Sequence, residues 1–115
     1  HILDVYVPQN PPFPRPFLPI TVFVHGGAWL RGDKSNNFNP RLYANVGETL
    51  SRIGQGTVCV IPNYRLSPGV MHPAHALDIA RCLAWVRANG RQYGGDPDRV
   101  CVVGHSAGAH LLAYL

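Results

Sequence analysis

Three short runs dominated by β-branched and other apolar residues constrain the fold more than anything else in this chain: Ile20-Thr21-Val22-Phe23-Val24, Thr57-Val58-Cys59-Val60-Ile61 and Arg99-Val100-Cys101-Val102-Val103. They do not alternate apolar with polar residues, which is the pattern of strands covered on both faces in a parallel sheet. Parallel neighbours need a crossover of a dozen or so residues, usually helical, and the segments between the runs supply it. Arg41 to Ile53 places Leu42, Val46, Leu50 and Ile53 at helical spacing and stops at Gly54 to Gly56. A second helix is predicted from about Pro73 to Asn89, with Ala76, Ile79, Leu83 and Val86 as its apolar stripe and His75, Asp78 and Arg81 on a polar side. Gly90 and the turn Gly94-Gly95-Asp96-Pro97 close it. From Ser106 onward, Ala107, Ala109, Leu111, Leu112, Ala113 and Leu115 suit a buried helix. This alternation predicts an α/β fold: a mainly parallel sheet with helices on both faces, joined by right-handed crossovers.

Ahead of the first run, Ile2 to Val7 reads as a further strand, and six prolines between Pro8 and Pro19 read as a stiff connector rather than a proline-rich ligand. At 115 residues the chain is at most one domain, and 46% hydrophobic against 14% charged residues excludes a disordered or fibrous class. It ends inside the last helical pattern, so residues 1–115 are expected to be part of a domain rather than a whole one. The net charge of +4 comes from nine arginines and Lys34, scattered and never in a run. That distribution argues against a nucleic-acid partner, which would need them gathered on one face. Cys59, Cys82 and Cys101 cannot all pair and form no Cys-x-x-Cys spacing. They read as small packing residues, which favours a reducing, cytoplasmic setting. No apolar stretch approaches the roughly 20 residues that span a bilayer, and the start, His1-Ile2-Leu3, has no signal-peptide pattern. Membrane association is left open.

Two motifs carry chemistry. Gly104-His105-Ser106-Ala107-Gly108 has the form Gly-x-Ser-x-Gly and stands between a buried strand and a helix. A serine there must occupy a sharp turn that lifts its Oγ above the sheet. The positions two before and two after must lack side chains. Ser106 is therefore the candidate nucleophile. His25-Gly26-Gly27-Ala28-Trp29 follows the first buried run. When a hydroxyl attacks an acyl carbon, negative charge gathers on the carbonyl oxygen, and preorganised backbone amides stabilise it by about 3–4 kcal/mol each. The amides of Gly27 and Ala28, with that of Ala107, are the expected donors, with Gly26 as the reserve. Both motifs end parallel strands at the same edge of the sheet, where ligands bind in such folds. Trp29 reads equally as a pocket wall or a core residue. The six histidines read as structural, His25 shaping its own loop by hydrogen bonding, and Arg65 is expected to pair with Asp78. There is no metal-ligand cluster and no phosphate loop, so neither metal nor cofactor is expected.

The chain resembles the esterase branch of the α/β hydrolases, which includes hormone-sensitive-lipase-like enzymes, isoprenylcysteine methylesterase-like proteins and kynurenine formamidases. Four motifs carry the likeness, in order along nearly the whole sequence: His25 to Trp29, Asn63-Tyr64-Arg65-Leu66-Ser67-Pro68, Tyr93-Gly94-Gly95-Asp96-Pro97-Asp98-Arg99 and Gly104-His105-Ser106-Ala107-Gly108-Ala109-His110. The resemblance implies an α/β-hydrolase fold and a serine hydrolase of small carboxylic esters that needs no cofactor. It also implies that the acid and the histidine of the triad would lie beyond Leu115. The pentad His25-Gly26-Gly27-Ala28-Trp29 further resembles the formamidases, so an aryl formamide is the alternative substrate. A member of this fold that only binds is a third reading.

Overall fold

The computed structural model describes residues 3–9, 17–27 and 41–115. Ala28, Trp29, most of the proline-rich connector and the polar loop of residues 31–40 lie outside them. In chain order the elements are β1 (Leu3–Tyr6), β2 (Leu18–Val24), α1 (Leu42–Arg52), β3 (Val58–Pro62), α2 (Ala74–Asn89), a 3₁₀ turn (Gly90–Tyr93), β4 (Gly95–Gly104) and α3 (Ala107–Leu112). The expected alternation of strand and helix is present, with most ends shifted by a residue or two and β4 longer than its apolar run; α3, however, stops at Leu112, and Ala109, Ala113 and Leu115 are exposed rather than buried.

The strands form one sheet in the order β1-β3-β2-β4. β2 pairs in parallel with β3 (Ile20 with Val58) and with β4 (Val24 with Gly104), while β1 runs antiparallel along the outer side of β3. Side-chain alternation divides the core into two layers. Ile20, Val22 and Val24 of β2 and Val58 and Val60 of β3 face Ile79, Cys82 and Val86 of α2 and Leu111 of α3. Phe23, Cys59 and Ile61 point the other way, onto Tyr43 of α1. Ile20, Val22, Ile61, Ile79 and Leu111 are almost wholly removed from water, which stabilises the fold by about 1.5–3 kcal/mol for each such side chain.

Four local expectations are corrected. The buried side of α1 holds Tyr43, Gly47 and Ser51, flanked by the half-buried Val46 and Leu50, whereas Leu42 and Ile53 are 41% and 58% exposed. The helix is rotated because Gly47 lies against Tyr6 of β1, where a Cβ would run into the ring. On α2, His75 and Asp78 are buried although they stand on the polar side. Cys101 is exposed while Cys59 and Cys82 are not, and burial pushes both of those thiols up to about 12. Finally, β4 is not covered on both faces. With β1 it is one of the two edge strands among those described, and Val102 and Val103 are 44% and 37% exposed.

The predicted Gly94–Pro97 turn survives as an irregularity within β4. Pro19 pairs with Asp96 but Ile20 pairs with Val100, so three residues of β4 are looped out against one step of β2. The Asp96 carboxylate accepts from the Asp98 amide at 3.0 Å and from Arg99 Nε at 2.8 Å. Arg99 also donates to the Phe17 carbonyl at 2.9 Å, across 82 residues of sequence.

Candidate active site

The connections leaving β2 and β4 diverge. The one after β2 leads to α1 on one face of the sheet, and the one after β4 leads to α3 on the other. Between the carboxyl ends of two such strands an α/β sheet opens a crevice, and both sequence motifs begin there. Val24 and Gly104 are paired, and the His105 amide donates to the Val24 carbonyl at 3.0 Å.

Ser106 sits at φ 53° and ψ −117°, the sole non-glycine residue with positive φ among those described. Such a conformation costs of order 1–3 kcal/mol and persists only where the surroundings enforce it. Here they do. A Cβ on Gly104 would lie 2.5 Å from the Ala109 backbone, and one on Gly108 would strike the carbonyls of Val24 and His25. Strand, turn and helix are in backbone contact on both sides, so the two glycines are required by volume. Ser106 is exposed, and its hydroxyl makes no capping bond to α3. Ala107 follows it, 3% exposed.

The loop after β2 presses on this turn. A Cβ on Gly26 would lie 2.8 Å from His105 Nδ1 and 3.2 Å from Ser106 Cβ, so the bare glycine backbone is what allows the approach. Gly27 has φ 130°, a conformation open to glycine. The structure thus brings Gly26 against Ser106, with Gly27 following it in the loop; Ala28 lies outside the described residues. His25 has no exposed surface, and its Nδ1–H donates to the Gly26 carbonyl at 2.8 Å. The imidazole stacks on Tyr64 at 4.6 Å and 18°, with Tyr43 at 5.6 Å beyond it. The Tyr64 hydroxyl donates to the His25 carbonyl at 3.0 Å. Burial, and then the nearby Tyr43, push the Tyr64 phenol up to about 12, so it remains a donor at neutral pH.

Tyr64 was missed as a site residue by sequence reasoning. The available signal was its place two residues after β3, beside the strand that carries the loop. The other histidines do other work. His75 meets Ser67 Oγ at 3.1 Å, and His110 packs edge-on against Tyr114. The predicted pair is present: Asp78 accepts from Arg65 Nε at 2.8 Å, from its Nη2 at 2.9 Å and from its backbone amide at 3.0 Å, with Arg81 at 3.3 Å. Burial alone would raise the Asp78 pKa, yet the Arg65 hydrogen bonds and charge leave it below the usual carboxylate value. This clamp holds the chain leaving β3 onto α2 and so fixes the segment that carries Tyr64.

With that geometry in view, the likeness to known proteins is direct. Residues 3–115 match the family model described as BD-FAE. The chain belongs to the BD-FAE family. Among the family's curated relatives in Mycobacterium tuberculosis, the probable carboxylic ester hydrolase LipM is 42% identical over 93 residues, covering 81% of this chain and 20% of its own length. The esterase LipC of the same organism is 39% identical over 113 residues, 97% of this chain and 26% of LipC. Esterase B from Lactobacillus rhamnosis superposes with a TM-score of 0.79 at 32% identity, over 95% of this chain and 31% of that one. A truncated form of a carbohydrate esterase from gut microbiota gives 0.82 at 26% identity, over 99% and 37%. The fold is therefore that of the α/β-hydrolase esterases, and the chain spans between a fifth and two fifths of the length of these relatives.

Proposed function

We propose that this chain is the nucleophile-bearing part of a serine hydrolase that cleaves small carboxylic esters. The observation that carries the reading is the strained, exposed Ser106 at the end of β4, with the glycine loop of β2 packed against it at Gly26. The names of its relatives, carboxylic ester hydrolase and esterase, support the ester as substrate. In the proposed reaction Ser106 Oγ attacks the carbonyl carbon while its proton passes to a general base. The resulting oxyanion is held by the amides of Gly27, Ala28 and Ala107, with Gly26 as the alternative donor. The carbon–oxygen bond to the alcohol breaks as the base returns the proton to it, and water then releases the acid by the same route. By the resemblance to the α/β-hydrolase esterases, the base and its orienting acid come from a later part of that fold.

Treatment of the full-length protein with a fluorophosphonate probe tests this directly. The adduct is expected on Ser106, and Ser106→Ala is expected to abolish both labelling and p-nitrophenyl ester hydrolysis. An adduct mapped to Ser35, Ser51 or Ser67, or turnover that survives Ser106→Ala, refutes the assignment.

A further inference from the structure

The glycines that let the β2 loop approach Ser106 create a problem of aim. A peptide unit flanked by glycine rotates at little steric cost, yet an oxyanion donor is useful only while its N–H faces the developing charge. In a trans peptide the C=O and N–H point in opposite directions, so whatever holds the carbonyl aims the amide. Two carbonyls of the loop are held. The unit joining His25 to Gly26 has its oxygen on the Tyr64 hydroxyl at 3.0 Å, and the unit joining Gly26 to Gly27 has its oxygen on His25 Nδ1 at 2.8 Å. The second bond depends on the setting of the imidazole, and that ring lies between Tyr64 and Tyr43.

We propose that Tyr64 is a positioning residue for the oxyanion loop, its hydroxyl and ring together fixing the direction of the Gly26 and Gly27 amides. This rests on the esterase reading above. The Tyr64 hydroxyl and ring meet His25, so Tyr64 acts through the His25 carbonyl and imidazole. Tyr64 is 4% exposed and stands two residues after β3, whose neighbour β2 ends in the loop. The two ends of the clamp are thus anchored to adjacent strands of one sheet, which gives the loop a rigid reference.

The test is Tyr64→Phe in the full-length protein, with p-nitrophenyl butyrate as substrate and Ser106→Ala beside it. Phenylalanine keeps the ring stack and deletes only the hydroxyl. Turnover is normalised to the serine sites that fluorophosphonate titrates to completion, so that misfolded molecules do not count. A clamp that aims transition-state donors predicts a kcat lowered by about tenfold to a hundredfold with KM within about twofold of wild type. Affinity for a reversible tetrahedral boronate inhibitor should fall in parallel with kcat, which a purely structural role would not produce. A Tyr64→Phe kcat within twofold of wild type, or a change confined to KM, overturns the inference while Ser106→Ala remains inactive. Hydrolysis that persists in Ser106→Ala instead removes the esterase reading, and the clamp's catalytic role with it.

Discussion

Ser106 shows how much of a candidate nucleophile's setting is a matter of occupied space. The Gly-x-Ser-x-Gly pattern was legible because its glycines answer to volume, and the atoms that exclude a side chain are the Ala109 backbone on one side and the Val24 and His25 carbonyls on the other. The positive φ of Ser106 is enforced by that packing rather than preferred by serine, and the strain has a measurable consequence. Ser106→Ala and Ser106→Gly both remove the proposed nucleophile, but only glycine accepts φ 53° without penalty. We expect the glycine variant to be more stable than the alanine variant by about 1 kcal/mol, the strain relieved less glycine's greater loss of chain freedom. Urea denaturation of the pair measures it; equal midpoints would mean that the turn is not strained. Tyr64 was illegible for the opposite reason. Its role depends on a carbonyl 39 residues earlier, and no local spacing encodes such a contact.

At the level of the elements, periodicity located the helices but misjudged their faces. The stripe Leu42, Val46, Leu50, Ile53 fits a helix on its own, yet α1 docks through Tyr43 and Gly47 because Tyr6 demands a position without a side chain. On α2 the rule that polar residues face water failed at Asp78, since the exposed Arg65 reaches over the buried carboxylate and replaces its water with hydrogen bonds. Asp78→Asn is expected to destabilise the fold by about 1.5–3 kcal/mol, the range for hydrogen bonds to a charged group. The pH dependence follows from the sign of the shift. The folded pKa of Asp78 lies below the ordinary 3.8, so its contribution is complete above that value and is lost as the pH falls through the lowered folded pKa. Chemical denaturation across pH 7 to about 2 should show wild type and Asp78→Asn converging at the acid end. A gap that stays constant would assign the loss to packing instead.

For the molecule as a whole, the sequence indicated the layers and left the strand order unstated. Three apolar runs were read as equally buried, but the order β1-β3-β2-β4 puts one of them at the edge. β4 extends over Gly95–Gly104 with Val102 and Val103 exposed, and a strand of that length with one edge unpaired among the described residues recruits other chains. The 115 residues expressed alone are expected to self-associate as their concentration rises, and Val102→Lys is expected to shift them toward monomer. Sedimentation velocity decides, and a monomeric wild-type chain would contradict the expectation. The same strand order sets a schedule. β2 is complete at Val24, but its partner on the site-forming side ends at Gly104, and Arg99 reaches back 82 residues to Phe17. On a ribosome, where residues emerge at about 5–20 per second, the glycine loop is made seconds before the serine it must meet. The crevice cannot close until that long loop of chain does, so the two motifs meet only after both strands that carry them have been synthesised.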